Sequence, residues 1–199
     1  MDEAVLVAGL GNPGEEYERT RHNAGFLLVD RLRTAWAGGD WRVEPKFEAR
    51  VATAWRSGTR CLLCQPVTYM NASGESVSAL ASYYRVAIPK VLVVVDDADL
   101  PLGSVRMRSE GSSGGHHGLE SVERHLGTRG YARIRLGIGR RPESGRQIVG
   151  HVLGKFGKDE WQVFEKVLER AVQQVECWMV DGIAAAMTRF NGAVTAPES

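Results

Sequence analysis

Val91-Leu-Val-Val-Val-Asp-Asp-Ala-Asp-Leu-Pro101 is the stretch that decides the fold of this chain. Its first five residues are all apolar, which predicts a central strand of a parallel sheet, because such strands are covered on both faces. Acidic residues follow directly where that strand ends. Ligand sites of open α/β sheets lie at the carboxyl ends of the strands, so the stretch also predicts the edge of the sheet that carries chemistry.

Strands and helices alternate on either side of this central strand. Further strands are predicted at Ala4 to Leu10, Glu48 to Trp55, Thr59 to Gln65, Ser104 to Arg108 and Ala132 to Ile138. Helices are predicted at Ala24 to Trp36, at Asn71 to Val86 with Asn71 or Ser73 near its N-cap, at Leu119 to Leu126 and from about Lys158 onwards. The alternation predicts a single three-layer α/β domain over residues 1–199. Its sheet is expected to be mixed, mostly parallel and twisted, with flanking helices and a long C-terminal helix.

The composition favours one water-soluble domain. With 199 residues, of which 43% are hydrophobic and 25% charged, the chain can bury one core and is short for two. No segment approaches the length of a membrane span, and the first apolar run is too short for the core of a signal peptide. We therefore expect a cytoplasmic protein that does not bind membranes.

Cys61 and Cys64 form a C-x-x-C pattern, which raises a redox or metal-binding hypothesis. Both lie in a predicted strand, where residues three apart point to opposite faces of the sheet. The two sulfurs would therefore not share a site, and no second C-x-x-C or histidine cluster lies nearby in the sequence. The pattern favours two core cysteines.

Charge is distributed unevenly along the chain. The formal net charge is only +1, but residues 101–150 contain nine arginines, no lysine and four acids. A basic region on a nearly neutral protein favours one face that binds a polyanion. Ordinary solvated surface arginines are the alternative.

Gly9-Leu-Gly-Asn-Pro-Gly14 matches the glycine pattern of dinucleotide-binding folds and follows a predicted strand. Its context contradicts that interpretation. The pattern needs its last glycine at the start of a helix that holds a pyrophosphate, whereas Glu15-Glu-Tyr-Glu18 would place negative charge there. The acid expected about twenty residues later would be Asp30, which falls in the middle of a helix. The sequence therefore disfavours a nucleotide-dependent oxidoreductase.

Polar side chains follow several predicted strands at the same edge of the sheet. Asn12 follows the first strand, His22 ends the loop after it, and Asp96 follows the central strand. A carboxylate that accepts a hydrogen bond from a histidine fixes its tautomer and makes it a general base near neutral pH. Asn71 offers a second amide, and amides can orient a carbonyl and a water without neutralising the base. Taken singly, these residues are equally explained as turn acids and helix caps.

Several stretches carry a resemblance when they are taken together. They are Val7-Ala-Gly-Leu-Gly-Asn-Pro-Gly-Glu-Glu-Tyr17, Thr20-Arg-His-Asn-Ala-Gly25, Pro66-Val-Thr-Tyr-Met-Asn-Ala-Ser-Gly74, Asp96 to Leu100, Gly114-Gly-His116 and Arg133-Ile-Arg-Leu-Gly-Ile-Gly139. In order and spacing, over about residues 4–190, they resemble the bacterial peptidyl-tRNA hydrolase family. The resemblance implies an α/β monomer without metal or cofactor that hydrolyses the ester joining a peptide to the 3′ end of tRNA.

The resemblance also implies a catalytic role for each matching residue. His22 resembles the base that activates water, and Asp96 resembles the carboxylate that orients it. Asn12 and Asn71 resemble the amides that position the ester carbonyl and the peptide main chain. Asn71 is also expected to help stabilise the oxyanion.

Substrate contacts are implied in the same way. Tyr17 and Met70 match residues that line the substrate channel of the family. Arg108 and Arg135 match basic residues that bind the terminal phosphate of the tRNA, a bidentate task that suits arginine. Residues Gly139 to Val149 resemble the mobile loop that gates the peptide channel.

One position departs from the family pattern. Gly115-His116-His117-Gly118 stands where the family commonly has Gly-His-Asn-Gly. His116 and His117 are expected among the residues that contact the substrate and the tRNA. The family asparagine helps to hold water and RNA, and a histidine cannot present an amide's donor and acceptor in the same shape. The efficiency of the reaction is therefore expected to depend on His117.

Two other functions compete with this one. A chloroplast group II intron splicing factor shares the fold and much of the motif set, which leaves open a non-catalytic RNA-binding protein. The joint presence of His22, Asp96 and two amides favours the enzyme, as does the absence of a transit-like N-terminus. A serine hydrolase would need a nucleophile elbow, and neither Ser73 nor Ser113 has that context. We expect peptidyl-tRNA as the partner and no obligate protein partner.

Overall fold

The computed structural model describes residues 4–139 and 150–194, and in these ranges one sheet of eight strands carries helices on both faces. The strands are β1 (Ala4–Gly9), β2 (Arg42–Glu44), β3 (Ala49–Arg56), β4 (Thr59–Pro66), β5 (Val91–Asp97), β6 (Ser104–Arg108), β7 (Ala132–Gly137) and β8 (Gly192–Ala193). The longer helices are α1 (Ala24–Ala35), α2 (Ser73–Tyr83), α3 (His117–Leu126), α4 (Lys158–Asp181) and α5 (Ile183–Phe190).

The strand order is β2-β3-β4-β1-β5-β7-β6-β8. The four central strands, β4, β1, β5 and β7, run parallel to one another, and the flanking pairs are antiparallel. The predicted mixed sheet between helices and the long C-terminal helix are thus confirmed, with the parallel part at the centre. Val91 to Val95 are all buried, because β5 is paired on both sides and covered on both faces.

Each face of the sheet has its own apolar core, because successive residues of a strand point to opposite faces. Val5 and Val7 of β1 pack with α1, α4 and α5, whereas Leu6 and Ala8 pack with α2 and α3. The cysteines of β4 divide in the same way, with Cys61 in the first core and Cys64 in the second. Both are free and buried, and burial raises the pKa of both thiols, that of Cys61 to about 11. The prediction of two core cysteines is confirmed.

Close contact between α1 and the sheet explains part of the glycine pattern after β1. A Cβ atom on Gly25 would lie 2.4 Å from the backbone nitrogen of Leu10 and 2.5 Å from the carbonyl oxygen of Val94. A Cβ atom on Gly9 would lie 2.1 Å from the carbonyl oxygen of Gly25. Only glycines let this helix pack directly on β1 and β5, and His22 is thereby held close to the end of β5.

The observed elements differ from the predicted ones at their ends. α2 begins at Ser73 after a 3-10 turn over Met70–Ala72. Its N-cap is Ala72, between Asn71 and Ser73, and it makes no side-chain hydrogen bond. The short edge strands β2 and β8 were not predicted. Gly182, with a φ of 86°, separates α4 from α5, where the sequence predicted one helix. No helix in the described ranges is long and apolar enough to cross a membrane.

Candidate active site

The carboxyl ends of the parallel strands border a cavity of about 310 Å³. Its lining combines a loop after β1, the end of β5, the start of α3 and part of the chain before α4. The lining residues are Asn12, His22, Asp96, Asp97, Ala98, Asp99, Gly114, Gly115, His116, His117, Arg135, Val152 and Leu153. Six of the residues predicted from the sequence to form the site therefore share one cavity.

His22 and Asp96 meet at the base of this cavity. His22 lies on a 3-10 turn (Arg21–Asn23) directly before α1, and Asp96 is the next-to-last residue of β5. The His22 Nδ1 atom is 2.9 Å from Asp96 Oδ1, and the carboxylate side chain is only 3% exposed. Because Asp96 can only accept when ionised, Nδ1 carries the proton and donates it, which leaves Nε2 of His22 as the basic nitrogen.

His116 binds the same carboxylate oxygen from the other side. Its Nε2 atom is 3.0 Å from Asp96 Oδ1, and its Nδ1 atom accepts from the backbone N–H groups of Gly118 and Leu119 at the start of α3. Because Nδ1 accepts, the proton of the neutral ring lies on Nε2. His116 is therefore both the N-cap of α3 and a second donor to Asp96. The sequence placed His116 among the substrate contacts and gave no sign of its bond to Asp96.

His22 and Asp96 shift each other's pKa, and His116 adds a hydrogen bond to Asp96. Burial lowers the pKa of His22, but the negative charge of Asp96 and its hydrogen bond outweigh burial and hold that pKa above its ordinary value. Burial opposes ionisation of Asp96, yet the charge of His22 and the hydrogen bonds from both histidines keep its pKa well below the usual range. Asp96 is therefore ionised at neutral pH, and it stabilises a proton on His22.

Asn12 is held by a second asparagine. Asn23 Oδ1 accepts from the Asn12 backbone N–H at 2.8 Å, and Asn23 Nδ2 donates to the Asn12 carbonyl at 3.0 Å. The Asn12 side-chain oxygen in turn accepts from the backbone N–H of Met70 at 2.9 Å. With its oxygen occupied, the Asn12 amide offers its Nδ2 donor to the cavity that it lines. An asparagine at position 23 would ordinarily cap the helix, but Asn23 makes no capping bond and instead fixes the Asn12 turn.

Four predicted site residues do not line the cavity, and one of them, Arg108, lines a second cavity beside it. Met70 is buried and contributes through its backbone N–H to Asn12. Asn71, the next residue, is exposed, and Tyr17 is half-buried on the 3-10 turn Glu15–Tyr17 of the loop that leads to His22. The structure therefore brings together the histidine, its carboxylate and one amide, and it leaves the other amide and Tyr17 outside the cavity lining.

Arginines from β6 and β7 form a basic surface beside the cavity. Arg106 pairs with Arg135 across the two antiparallel strands and Arg108 pairs with Arg133, so all four point to one face. Arg106 and Arg108 are exposed, and Arg135 contacts Asp97 at 3.3 Å. These four arginines line a second cavity together with Asp97, Asp99, Glu110, Gly111 and Ser112. It shares Asp97, Asp99 and Arg135 with the first cavity. Arg106 was not singled out from the sequence.

The arginines of the basic region do not all serve this surface. Arg133 is buried and donates to the backbone carbonyls of Gly111, Arg129 and Tyr131, and burial lowers its pKa despite a nearby acid. Its role is to hold the loops on either side of α3. Arg129 is exposed and pairs with Glu123 at 3.2 Å. The expected basic face is therefore formed by some of these arginines, while others hold the fold together or pair with acids.

His117 lies at the rim of the cavity. Its side chain is 76% exposed, and its Nδ1 atom is 3.2 Å from Glu120 Oε2, one turn further along α3. It is not bonded to Asp96, in contrast to His116. The predicted gating loop, Gly139 to Val149, lies outside the described residues except for Gly139.

One trio in the described ranges has the donor set of a metal site. The ligand atoms of His22, Asp96 and His116 lie within 4.8 Å of one another. A metal ion on Nε2 of His116 would require the proton to move to Nδ1, which already accepts two backbone N–H groups. The cap of α3 and the hydrogen bonds to Asp96 therefore compete with metal binding.

Known proteins share this sequence and fold over nearly the whole chain. A family model described as peptidyl-tRNA hydrolase matches residues 6–198. The peptidyl-tRNA hydrolase of Synechococcus sp. (strain JA-2-3B'a(2-13)) is 47% identical over 186 residues, which cover 94% of this chain and 82% of that protein. That of Bacillus subtilis (strain 168) is 42% identical over 193 residues, covering 96% of this chain and 100% of that protein. The crystal structure of peptidyl-tRNA hydrolase from Acinetobacter baumannii superposes with a TM-score of 0.91, at 34% identity and 98% coverage of each chain.

Proposed function

This chain belongs to the peptidyl-tRNA hydrolase family and is a hydrolase of the peptidyl-tRNA ester, and we propose that His22 is the general base of that reaction. The proposal rests on the hydrogen bonds that fix the orientation and the proton positions of the two histidine rings around Asp96. His116 uses both nitrogens in fixed bonds, and His22 uses Nδ1. The Nε2 atom of His22 is therefore the ring nitrogen left to take a proton from water.

The reaction follows from these positions. A water molecule attacks the carbonyl carbon of the ester and gives its proton to His22 Nε2, while Asp96 stabilises the imidazolium that forms. The Asn12 Nδ2 donor binds the carbonyl oxygen as it gains negative charge. When the C–O bond breaks, His22 returns the proton to the 3′ oxygen of the terminal ribose. The products are a peptide with a free carboxyl group and a tRNA with a free 3′ hydroxyl group.

The charge distribution around the cavity orients the substrate. Exposed Arg106 and Arg108, with Arg135 between the two cavities, offer donors to the phosphate groups of the tRNA. The lining of the first cavity also includes Val152 and Leu153, which favour the less polar peptide. Under this arrangement the ester lies across His22, with RNA on the arginine side and peptide on the apolar side.

The remaining substrate contacts are proposed from the family pattern. Asn71 is exposed next to the buried Met70 and would contact the peptide main chain at the rim. Tyr17, on the loop that carries His22, would border the substrate channel. His117 would contact water and RNA at the rim, where its side chain is exposed.

We further propose that residues 1–199 act as a single domain and a monomer in the cytoplasm, without metal, cofactor or obligate protein partner. The competition between metal binding and the cap of α3 supports a metal-independent reaction.

The test is hydrolysis of an N-blocked aminoacyl-tRNA by the wild type, by His22→Ala and by His125→Ala. Removal of the base should lower kcat by about 10²–10⁴-fold. His125 is a matched control because it lies on α3 outside the cavity lining, with its Nδ1 atom 2.8 Å from the Ser121 carbonyl oxygen. Excess chelator should leave wild-type turnover unchanged.

Retained activity of His22→Ala, or loss of wild-type activity with chelator, would contradict the mechanism. Tight tRNA binding by the wild type without any turnover would instead support the non-catalytic RNA-binding alternative. Sedimentation of the free protein and of the protein with tRNA tests the monomer.

A further inference from the structure

The guanidinium group of Arg21 joins the loop that carries His22 to the chain segment 151–160. Its Nη2 atom donates to Glu160 Oε2 at 2.7 Å, and Nη1 donates to the His151 carbonyl at 3.4 Å. The guanidinium carbon lies 5.3 Å from the centre of the Phe156 ring. One side chain therefore contacts the beginning, the middle and the end of this segment.

Backbone contacts place the same two pieces of chain side by side. The Arg21 N–H donates to the Gly154 carbonyl at 2.9 Å, and Thr20 forms an antiparallel bridge with Lys155. A Cβ atom on Gly154 would lie 2.9 Å from Arg21 Nη1, so any larger residue here would displace the guanidinium group. The Arg21 side chain is only 11% exposed, which shows that it is packed into this junction.

The segment held by Arg21 contains one wall of the active-site cavity. Val152 and Leu153 line the cavity together with His22, and both lie between the carbonyl of His151 and the ring of Phe156. Phe156 stacks on Phe164 of α4, with the ring centres 4.3 Å apart. Phe156 therefore anchors this wall to α4. Arg21, the residue that directly precedes the proposed base His22, anchors the wall to the loop that carries that base.

We propose that Arg21 is a positioning residue that sets the distance between His22 and the apolar wall at Val152 and Leu153. The inference rests on the proposed function, in which the peptide part of the substrate lies on that wall. The Arg21 side chain does not line the cavity. It acts through the segment, so it controls how the peptide is bound and not how fast the ester is cleaved once it is in place.

The planar shape of arginine is what this role requires. A guanidinium can donate from two nitrogens in fixed directions while its face packs on a ring. A lysine could pair with Glu160 but could not reach the His151 carbonyl and cover Phe156 at the same time. The ion pair alone therefore does not define the position of the wall. Arg21→Lys keeps the positive charge and removes the planar guanidinium group, so it tests the geometry alone.

Glu160 offers a second way to test the junction. Its Oε2 atom accepts from the Gly157 backbone N–H at 2.7 Å as well as from Arg21. A glutamine can keep the bond to Gly157 through its amide oxygen, and so preserve the start of α4, while the charge that holds Arg21 is removed. Glu160→Gln therefore weakens the junction with the arginine still present.

The experiment compares two substrates in each variant. One is a tRNA carrying a single N-acetylated glycine, and the other is a tRNA carrying an N-acetylated dipeptide with apolar side chains. Arg21→Lys should raise KM for the dipeptidyl substrate by about 10- to 10²-fold, in the range expected for a displaced binding wall. KM for the acetylglycyl substrate, kcat for both, and the pH dependence of kcat should change little. Glu160→Gln should show the same selective rise, and smaller.

Arg19→Lys is the matched control on the same loop. Arg19 lies over Trp161, with its guanidinium carbon 5.6 Å from the ring centre. Its replacement should leave the ratio of the two KM values unchanged. Circular dichroism melts of all variants identify any loss of folding, and Glu160→Gln carries the test if Arg21→Lys does not fold.

Equal KM changes for both substrates would overturn the inference, as would a fall in kcat with a displaced pH profile, which would mean that Arg21 acts through His22. These outcomes leave the proposed function intact, because they require a wild type that hydrolyses peptidyl-tRNA. A wild type without turnover contradicts the proposed function itself and is recognised before any variant is compared.

Discussion

Asp96→Asn removes one negative charge from the centre of the site and leaves its shape in place. An amide oxygen in the position of Oδ1 can still accept from His22 and His116, which both bind that one oxygen now. Hydrogen bonds to charged acceptors contribute about 1.5–3 kcal/mol and neutral ones about 0.5–1.5 kcal/mol. The hydrogen bond to His22 is therefore weakened by on the order of 1–1.5 kcal/mol. This loss sets a lower bound of about tenfold on the fall in rate.

The charge sets the upper bound of the effect. In the transition state the His22 ring is positive, and its attraction to a carboxylate about 4 Å away is worth about 4 kcal/mol at an effective dielectric constant of about 20. That corresponds to about 10³-fold in rate. We therefore expect kcat to fall by roughly 10²-fold, between these bounds, with KM for tRNA nearly unchanged.

The pH dependence of kcat in Asp96→Asn gives an independent test, because the direction in which the pKa of His22 moves can be derived. Burial lowers the pKa of His22, and Asp96 raises it above its ordinary value. Without the carboxylate only burial remains, so the pKa of His22 falls. The neutral ring is the active form, hence the rate rises with pH through this pKa. In a plot of rate against pH, the rising part of the curve should therefore move to lower pH in Asp96→Asn. The maximal rate at high pH should at the same time be lower than in the wild type.

Single-turnover hydrolysis from about pH 5 to about pH 9 measures both the maximal rate and the rising part of the curve. Asp97→Asn is the matched control, because the Asp97 carboxylate binds Arg135 and the backbone N–H of Asp99, and not a histidine. It should change KM more than kcat. A larger loss of kcat in Asp97→Asn than in Asp96→Asn would refute the assignment of Asp96, and so would a rising part of the curve that stays in place or moves to higher pH.

Three further sets of variants test other parts of the site. Arg108→Ala and Arg135→Ala should raise KM and flatten the salt dependence of tRNA binding. The slope of the logarithm of the binding constant against the logarithm of the salt concentration should become shallower by about 0.7–0.9 for each phosphate group that is no longer bound. A fall in kcat alone would contradict this role. His117→Asn should keep or raise kcat/KM near neutral pH and alter the pH profile below about 6.5, where a free histidine gains charge; superimposable profiles would make His117 a spectator. Asn23→Ala should lower the free energy of unfolding by about 1–3 kcal/mol and kcat by about tenfold, since the Asn12 turn loses two hydrogen bonds; an unchanged kcat would show that the turn holds without it.

The central strands and the meeting of His22 with Asp96 could be predicted because both follow from simple rules. Continuous apolar runs mark strands that are covered on both faces, and parallel strands bring their carboxyl ends to one edge. Asn12 and His22 follow β1, which pairs directly with β5, so His22 reaches Asp96 and Asn12 lines the same cavity. The outer strands β2 and β8 escaped prediction because they are three and two residues long, which is too short to establish a periodic pattern.

The second ring on Asp96 and the brace on Asn12 could not be predicted, because each depends on contacts with no local pattern. His116 reaches a carboxylate 20 residues earlier while it binds backbone N–H groups two and three residues later. Asn23 stands directly before a helix, where an asparagine ordinarily caps it, but the backbone of Asn12 competes successfully for its amide. In both cases the tertiary partner decided between two roles that the sequence allows.

The N-terminal turn of α3 cannot fray independently of the active site. Helix ends usually open at little cost, in local fluctuations far smaller than global unfolding. Here the capping ring of His116 is also bonded to a carboxylate that is 3% exposed, so opening the turn breaks a contact in the protein interior. Local melting of α3 and loss of the ordered proton arrangement around His22 are thus one cooperative event. As the temperature rises, activity is expected to be lost when this turn opens, before the sheet unfolds.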